Sequence, residues 1–226
     1  MLHLYLDTAN LEEIKKGVSL GVIRGITTNP SLVAMEQGEL SQEEALFRFH
    51  QLIGQICRLI PEGPVSAEVL AEDTEGMVRE GKELASLAPN VVVKIPLTPA
   101  GLSATHLLAA EGIRVNATLV FSVNQALLAA AAGAFYVSPF LGRVDDVGGD
   151  GVDLVAQILQ SFHHYDITTS LIAASIRHPR HVTAVALQGA HIATVPFKVL
   201  QQMIRHPLTD NGMERFRSDW GKILKK

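Results

Sequence analysis

Lys94 stands alone in the run Val91-Val92-Val93-Lys94-Ile95-Pro96, with β-branched and apolar residues around it. A strand of that composition is dry on both faces, and an unpaired ammonium buried in it costs several kcal/mol. Desolvation near a strand end is a physical route to a neutral amine nucleophile at neutral pH. The plainer alternative is a lysine that snorkels outward between strand and helix. A neutral lysine amine attacks a ketone and forms a Schiff base, an electron sink when an adjacent carbon–carbon bond breaks. Dehydrating the carbinolamine needs a proton donor, which Glu68 can supply directly or through a water held by Thr118. Bond cleavage needs a base for the departing hydroxyl, and Asp7 is the second carboxylate on offer. Asn29, Asn116 and Ser138 suit the neutral hydroxyls of a sugar, and Thr27 stands with Asn29 at the end of the second strand. Arg143, Ser175 and Arg177 suit a phosphate dianion, for which the guanidinium fork has the right geometry.

These residues converge only if the elements that carry them do. Strand-like runs end near Asp7, Thr27, Glu68, Lys94, Thr118, Ser138, Ser175 and Val195. Between them lie amphipathic stretches, among them 11–20, 41–60, 74–87, 100–111, 123–132, 152–162, 182–187 and 197–204, several stopped by glycine. Ser41 and Glu44 form a capping-box pattern at the start of the second stretch. The segment from Arg143 to Asp150 is expected to be a polar loop. Eight strand–helix units predict a (β/α)8 TIM barrel in a single α/β domain spanning 1–226. A doubly wound open sheet is disfavoured, because Asp7-Thr8-Ala9-Asn10 is not a glycine-rich phosphate turn. In a barrel the carboxyl ends of the strands face one mouth, so the polar residues above form a ring. Asn116 and Thr118 share a strand face by their spacing of two.

Beyond the eighth helix, residues 211–226 carry Met213, Phe216, Trp220, Ile223 and Leu224 on one helical stripe. A closed barrel offers no groove for that stripe, so it is expected at an interface with another subunit; packing across the base of its own barrel is the alternative. The remaining patterns have ordinary readings. Asp7 also suits a helix cap, and Arg143 a salt bridge with Asp145 or Asp146. His178-Pro179-Arg180-His181 reads as a helix start with Pro179 in its first turn rather than a metal site. The acidic run from Asp145 to Asp153 misses the spacing of a calcium loop. Cys57 reads as a core position.

The chain has 226 residues, 47% hydrophobic and 19% charged, with a formal net charge of −4. That balance argues against nucleic acid or a membrane surface as the main partner. One cysteine rules out an internal disulfide framework. No basic leader opens the chain and no apolar run approaches a membrane span, so a soluble, cytoplasmic protein is expected.

The motifs together resemble the transaldolase family. Leu6-Asp7-Thr8-Ala9-Asn10, Gly25-Ile26-Thr27-Thr28-Asn29-Pro30-Ser31 and Val93-Lys94-Ile95-Pro96 carry the likeness through the first half. Asn116-Ala117-Thr118-Leu119-Val120-Phe121-Ser122, Ser138-Pro139-Phe140-Leu141-Gly142-Arg143 and Ala173-Ala174-Ser175-Ile176-Arg177 carry it through the second. The short length resembles the compact microbial branch that also holds fructose-6-phosphate aldolases. The resemblance implies a (β/α)8 barrel, Lys94 as Schiff-base lysine, Asp7 as acid/base, and Glu68 with Thr118 around a catalytic water. It places Arg143, Ser175 and Arg177 at a phosphate, and it implies no metal or organic cofactor. The implied reaction moves a dihydroxyacetone unit from a ketose phosphate to an aldose phosphate in the pentose phosphate pathway. The implied assembly is a homo-oligomer, a decamer of two pentamers. The aldolase branch typically has glutamine at the position of Glu68 and tyrosine at that of Phe140, so both residues here are of the transaldolase type. Fructose-6-phosphate aldolase is the nearest rival, and a catalytically silent phosphosugar-binding barrel the non-enzymatic one. An isomerase barrel is disfavoured because no obvious histidine accompanies the carboxylates.

Overall fold

Short strands of Val, Ile, Leu and Ala bury both faces, and that demands a parallel sheet covered all round by helices. The computed structural model, which describes residues 1–32 and 42–223, meets the demand with a closed barrel of eight strands in chain order. The strands are β1 (His3–Asp7), β2 (Ile23–Thr27), β3 (Val65–Glu68), β4 (Val91–Pro96), β5 (Val115–Val120), β6 (Tyr136–Pro139), β7 (Ser170–Ala173) and β8 (Ile192–Val195). Every pairing is parallel, and β8 closes on β1 through Leu6 and Val195. Around them run α1 (Leu11–Ser19), α2 (Gln42–Leu59), α3 (Thr74–Leu87), α4 (Pro99–Ala110) and α5 (Val123–Ala131). The circuit continues with α6 (Leu141–Asp146), α7 (Gly151–His164), α8 (Pro179–Leu187), α9 (Phe197–Ile204) and α10 (Pro207–Ile223).

Alternation along each strand divides the core in two. Leu6, Ile26, Val65, Ala67, Val93, Ile95, Ala117, Val137, Leu171 and Val195 point outward and join the helices in one large apolar cluster. Tyr5, Val92, Tyr136, Ile172 and Ile192 point inward as a separate small cluster that plugs the barrel. The two tyrosine hydroxyls meet at 3.0 Å, and the rings cross edge-on. Gly25 makes room for this plug, since a Cβ there would lie 2.7 Å from the Tyr5 ring.

Several expectations shift. The segment from Arg143 onward is not a loop to Asp150: Leu141–Asp146 is helical, and Leu141 N donates to Ala174 O at 3.1 Å. Six residues are too few to display a helical period, so the turn is set by the neighbouring strand end. β7 stops at Ala173, short of Ile176, because Ser175 turns into the left-handed region at φ 61°. The first helix is capped by Asn10, whose Oδ1 accepts from Glu12 N and Glu13 N, and not by Asp7. His178 caps α8 with Pro179 in its first turn, matching the expected helix start. The terminal helix begins at Pro207 and buries none of its residues, so it does not pack across the base of its own barrel. Ser41 and Leu224 lie outside the described residues. Among those described, no helix is long and apolar enough to cross a membrane.

Two glycines test the packing in opposite directions. Gly101 sits where a Cβ would fall 2.0 Å from Pro96 O, against backbone that closes β4 onto α4. Gly101→Ala should destabilise the protein by roughly 1–3 kcal/mol. Gly54 lies within α2 with only the Arg58 guanidinium nearby, at 3.7 Å. There alanine should stabilise by up to about 1 kcal/mol through helix propensity. Denaturant midpoints of the two variants should therefore move apart, and matching shifts would contradict the assigned packing.

Candidate active site

Toward their carboxyl ends seven of the eight strands carry polar inward side chains, and β7 is the exception, with Ile172. Pairing sets them side by side: Glu68 with Lys94 and Lys94 with Asn116, and on the other side Asp7 with Thr27 and Thr27 with Ser66. Lys94 and Glu68 are 4% and 8% exposed, and their Nζ and Oε2 atoms lie 2.9 Å apart. Lys94 Nζ also donates to Thr28 O at 2.9 Å. The lysine expected from sequence to be desolvated is thus buried, and its pairing with Glu68 answers the cost of that burial.

Asp7 opens on the same space. Its Oδ1 accepts from Thr27 Oγ1 at 2.7 Å, and Thr27 Oγ1 meets Thr194 Oγ1 at 2.6 Å. Burial pushes the Asp7 carboxyl above its ordinary value, opposed by the Lys94 charge and the Thr27 hydroxyl and assisted by the Glu68 charge. A second chain of bonds fixes the neutral side: Ser138 Oγ donates to Asn116 Oδ1 at 2.7 Å, and Asn116 Nδ2 to Ser66 Oγ at 3.1 Å. Thr118, one inward step beyond Asn116 toward the mouth, is fully buried, and its Oγ1 has no partner among the described residues. A buried hydroxyl so placed is suited to a water or a substrate group.

Asp7, Thr27, Asn29, Lys94, Ser138, Phe140, Arg143, Ser175 and Arg177 line one pocket in the barrel mouth. Glu68 borders an adjoining cleft with Pro30, Leu70 and Thr98. Asn29 is partly committed to structure, since its Oδ1 accepts from Leu32 N at 3.0 Å. Arg143 lies over the Phe140 ring, 5.1 Å from its centroid, and not in a salt bridge with Asp145 or Asp146. Asp146 instead holds Arg177, Oδ2 to Nη2, at 2.7 Å. All twelve residues singled out by sequence therefore reach the mouth or the interior immediately beneath it. Ser66, Thr194 and the carbonyl of Thr28 were not singled out. The first two carry the same period-two signal as Asn116 and Thr118; the carbonyl carries none, because every residue has one.

A match across residues 4–226 to the model of the transaldolase/fructose-6-phosphate aldolase family settles the kinship. The chain belongs to that family. A probable transaldolase of Halalkalibacterium halodurans is 56% identical over 97% of this chain and 99% of its own. One of Roseiflexus sp. (strain RS-1) is 57% identical over 97% of each. Among solved structures, a thiamine phosphate pyrophosphorylase from Pyrococcus furiosus superposes with a TM-score of 0.61 at 16% identity, covering 89% of this chain and 93% of that one. That last likeness concerns the barrel alone.

In this transaldolase-family site the position of Asp7 makes stability depend on pH. The folded chain holds the Asp7 proton to higher pH than the unfolded chain does. The resulting contribution is complete below the ordinary value of 3.8 and is lost as pH rises through the raised folded value. Asp7→Asn keeps an acceptor for Thr27 but cannot ionise, so it should be the more stable protein at pH 7 and lose its advantage toward acid. Denaturant midpoints across that range check this, and identical pH slopes for the two proteins would contradict it.

Proposed function

We infer that the protein is a transaldolase acting through a Schiff base on Lys94. The observation that supports this most is the buried Lys94–Glu68 pair at 2.9 Å beside a second carboxylate, Asp7, in a pocket edged by two arginines. Proton transfer from Nζ to Glu68 along that contact leaves a neutral amine, which attacks the ketone carbon of a ketose phosphate. Glu68 returns a proton to the carbinolamine hydroxyl, directly or through a water held at Thr118, and water leaves to give the imine. Asp7 then takes the proton of the hydroxyl on the far side of the bond to be cleaved. That carbon becomes an aldehyde, the bonding pair moves into the imine, and an aldose phosphate departs. The enamine left on Lys94 adds to an acceptor aldehyde, and the steps reverse. Asn29, Asn116 and Ser138 hold hydroxyls, and Arg143, Ser175 and Arg177 the phosphate. The donors this reading assigns are fructose 6-phosphate and sedoheptulose 7-phosphate; the acceptors are glyceraldehyde 3-phosphate and erythrose 4-phosphate. The pathway is the pentose phosphate pathway, in the cytoplasm.

Transfer rather than release is supported by Glu68 and Phe140. Glu68 can give and take a proton, whereas an amide could only hydrogen-bond. Phe140, edge-on to Phe121 and covered by Arg143, offers an apolar wall with no hydroxyl to fix a second water beside the imine. Borohydride should therefore trap fructose 6-phosphate on Lys94 alone, and Lys94→Ala should lose essentially all activity. Three-carbon transfer to erythrose 4-phosphate should be fast, with only slow dihydroxyacetone release when no acceptor is present. Equal rates with and without acceptor would favour the aldolase.

The assembly belongs to the same reading. On α10, Leu208, Met213, Phe216, Trp220 and Ile223 are exposed, Phe216 by 74% and Trp220 by 63%. An aromatic stripe of this kind is the usual core of an interface. We assign it to a second copy of the chain, in a decamer of two pentamers. A chain truncated before Met213 should retain its barrel circular dichroism and lose oligomer mass by light scattering. An unchanged oligomer would refute the interface.

A further inference from the structure

Arg143 and Arg177 stand on different elements, one on α6 and one beyond the end of β7, yet a single phosphate requires them at a fixed separation. The link in view at the surface is weak. The Asp146–Arg177 pair is more than half exposed on the acid side and 50% on the arginine side, where ion pairs contribute little. Behind it lies His181, buried at 9% exposure. Its Nδ1 accepts from Arg177 N at 3.3 Å, and its Nε2 lies 3.2 Å from Asp145 Oδ2. Asp145 Oδ1 in turn accepts from Gly151 N at 2.8 Å, which ties the end of α6 to the start of α7.

The two contacts set the state of the ring. A nitrogen that accepts from a backbone N–H carries no proton, so the neutral ring holds its proton on Nε2, where it donates to the Asp145 carboxylate. Burial and the neighbouring His178 and Arg177 favour that neutral form, while Asp145 opposes them. The His178 ring is held against that of His181. His181 N donates to His178 Nδ1 at 3.2 Å, and the two rings lie 3.8 Å apart. Gly142 completes the approach of the two elements, since a Cβ there would sit 2.1 Å from Ser175 O.

We propose that His181 is a positioning residue for phosphate recognition: its two ring nitrogens lock the Arg177 backbone to the Asp145 end of α6, and so set Arg177 against Arg143. This rests on the reading above that these arginines hold the substrate phosphate. Each nitrogen can be removed separately. His181→Asn keeps an acceptor near the Nδ1 position and loses the reach to Asp145. His181→Gln keeps a donor near the Nε2 position and loses the acceptor for Arg177 N. Asp145→Asn places an amide donor against the Nε2 proton and breaks the link from the other side.

Each variant should raise the KM for fructose 6-phosphate and the inhibition constant of inorganic phosphate about tenfold, the worth of one hydrogen bond to a charged group. kcat should hold within about twofold, as expected when binding rather than transition-state contacts are lost. Borohydride trapping of phosphate-free dihydroxyacetone on Lys94 should be unchanged. In an Arg143→Ala/Arg177→Ala background, His181→Asn should add nothing further to KM. A fall in kcat with KM unmoved, or a full further rise in that background, overturns the positioning role. If the two arginine substitutions themselves leave KM and phosphate inhibition unmoved, the clamp itself is wrong, a failure distinct from that of His181 within a working clamp.

Discussion

The 2.9 Å contact between Lys94 Nζ and Glu68 Oε2 is the constraint on which the site depends. Two opposite charges buried together are tolerable where either alone is not, and removing one partner of such a pair costs roughly 3–5 kcal/mol. The pair is held by register, since Glu68 and Lys94 are directly paired across adjacent strands. Thr28 O accepts a further hydrogen bond from Lys94 Nζ and thereby couples the end of β2 to this pair. Asp7 stands beyond, close enough to feel both charges but bonded to Thr27 rather than to the lysine. Under the proposed mechanism, one cation between two carboxylates lets a proton move in either direction as covalent steps proceed.

Below this layer the barrel is closed by uncharged groups. Burial and the Tyr136 hydroxyl push the Tyr5 phenol above its ordinary range, so it stays protonated beneath the site. With Val92, Ile172 and Ile192 the tyrosines form a floor without charge, and Gly25 admits the Tyr5 ring by having no side chain. The polar groups are thereby confined to the mouth, where a substrate can meet them. The floor also keeps the dielectric low beneath Lys94, which strengthens its interaction with Glu68 and Asp7.

The arginine side is built on a different principle. The lysine side rests on β-ladder register, whereas Arg143, Ser175 and Arg177 sit where the ladder ends. Phe140 and Ala174 form an isolated bridge, Ser175 turns left-handed, and a short helix docks its glycine against the turn. Such geometry comes from close backbone approach and a few side-chain ties, so its precision depends on the groups behind it.

The sequence by itself determined the barrel and the inner ring. Period-two alternation in strands such as Val91–Pro96 and Val115–Val120 is a local property, and it decides which side chains face inward before any long-range contact forms. Glycine stops such as Gly112 and Gly133, both at positive φ, were legible for the same reason. Only the tertiary structure decided the rest. Asn10 rather than Asp7 caps the first helix, and that leaves the carboxylate to Thr27 and the pocket, a choice between two short polar residues that spacing cannot make. The helix Leu141–Asp146, the pairing of Asp146 with Arg177, and the burial of His181 between Asp145 and Arg177 join residues up to 36 positions apart. Their approach is set by barrel closure and carries no periodicity, so no local pattern announces it.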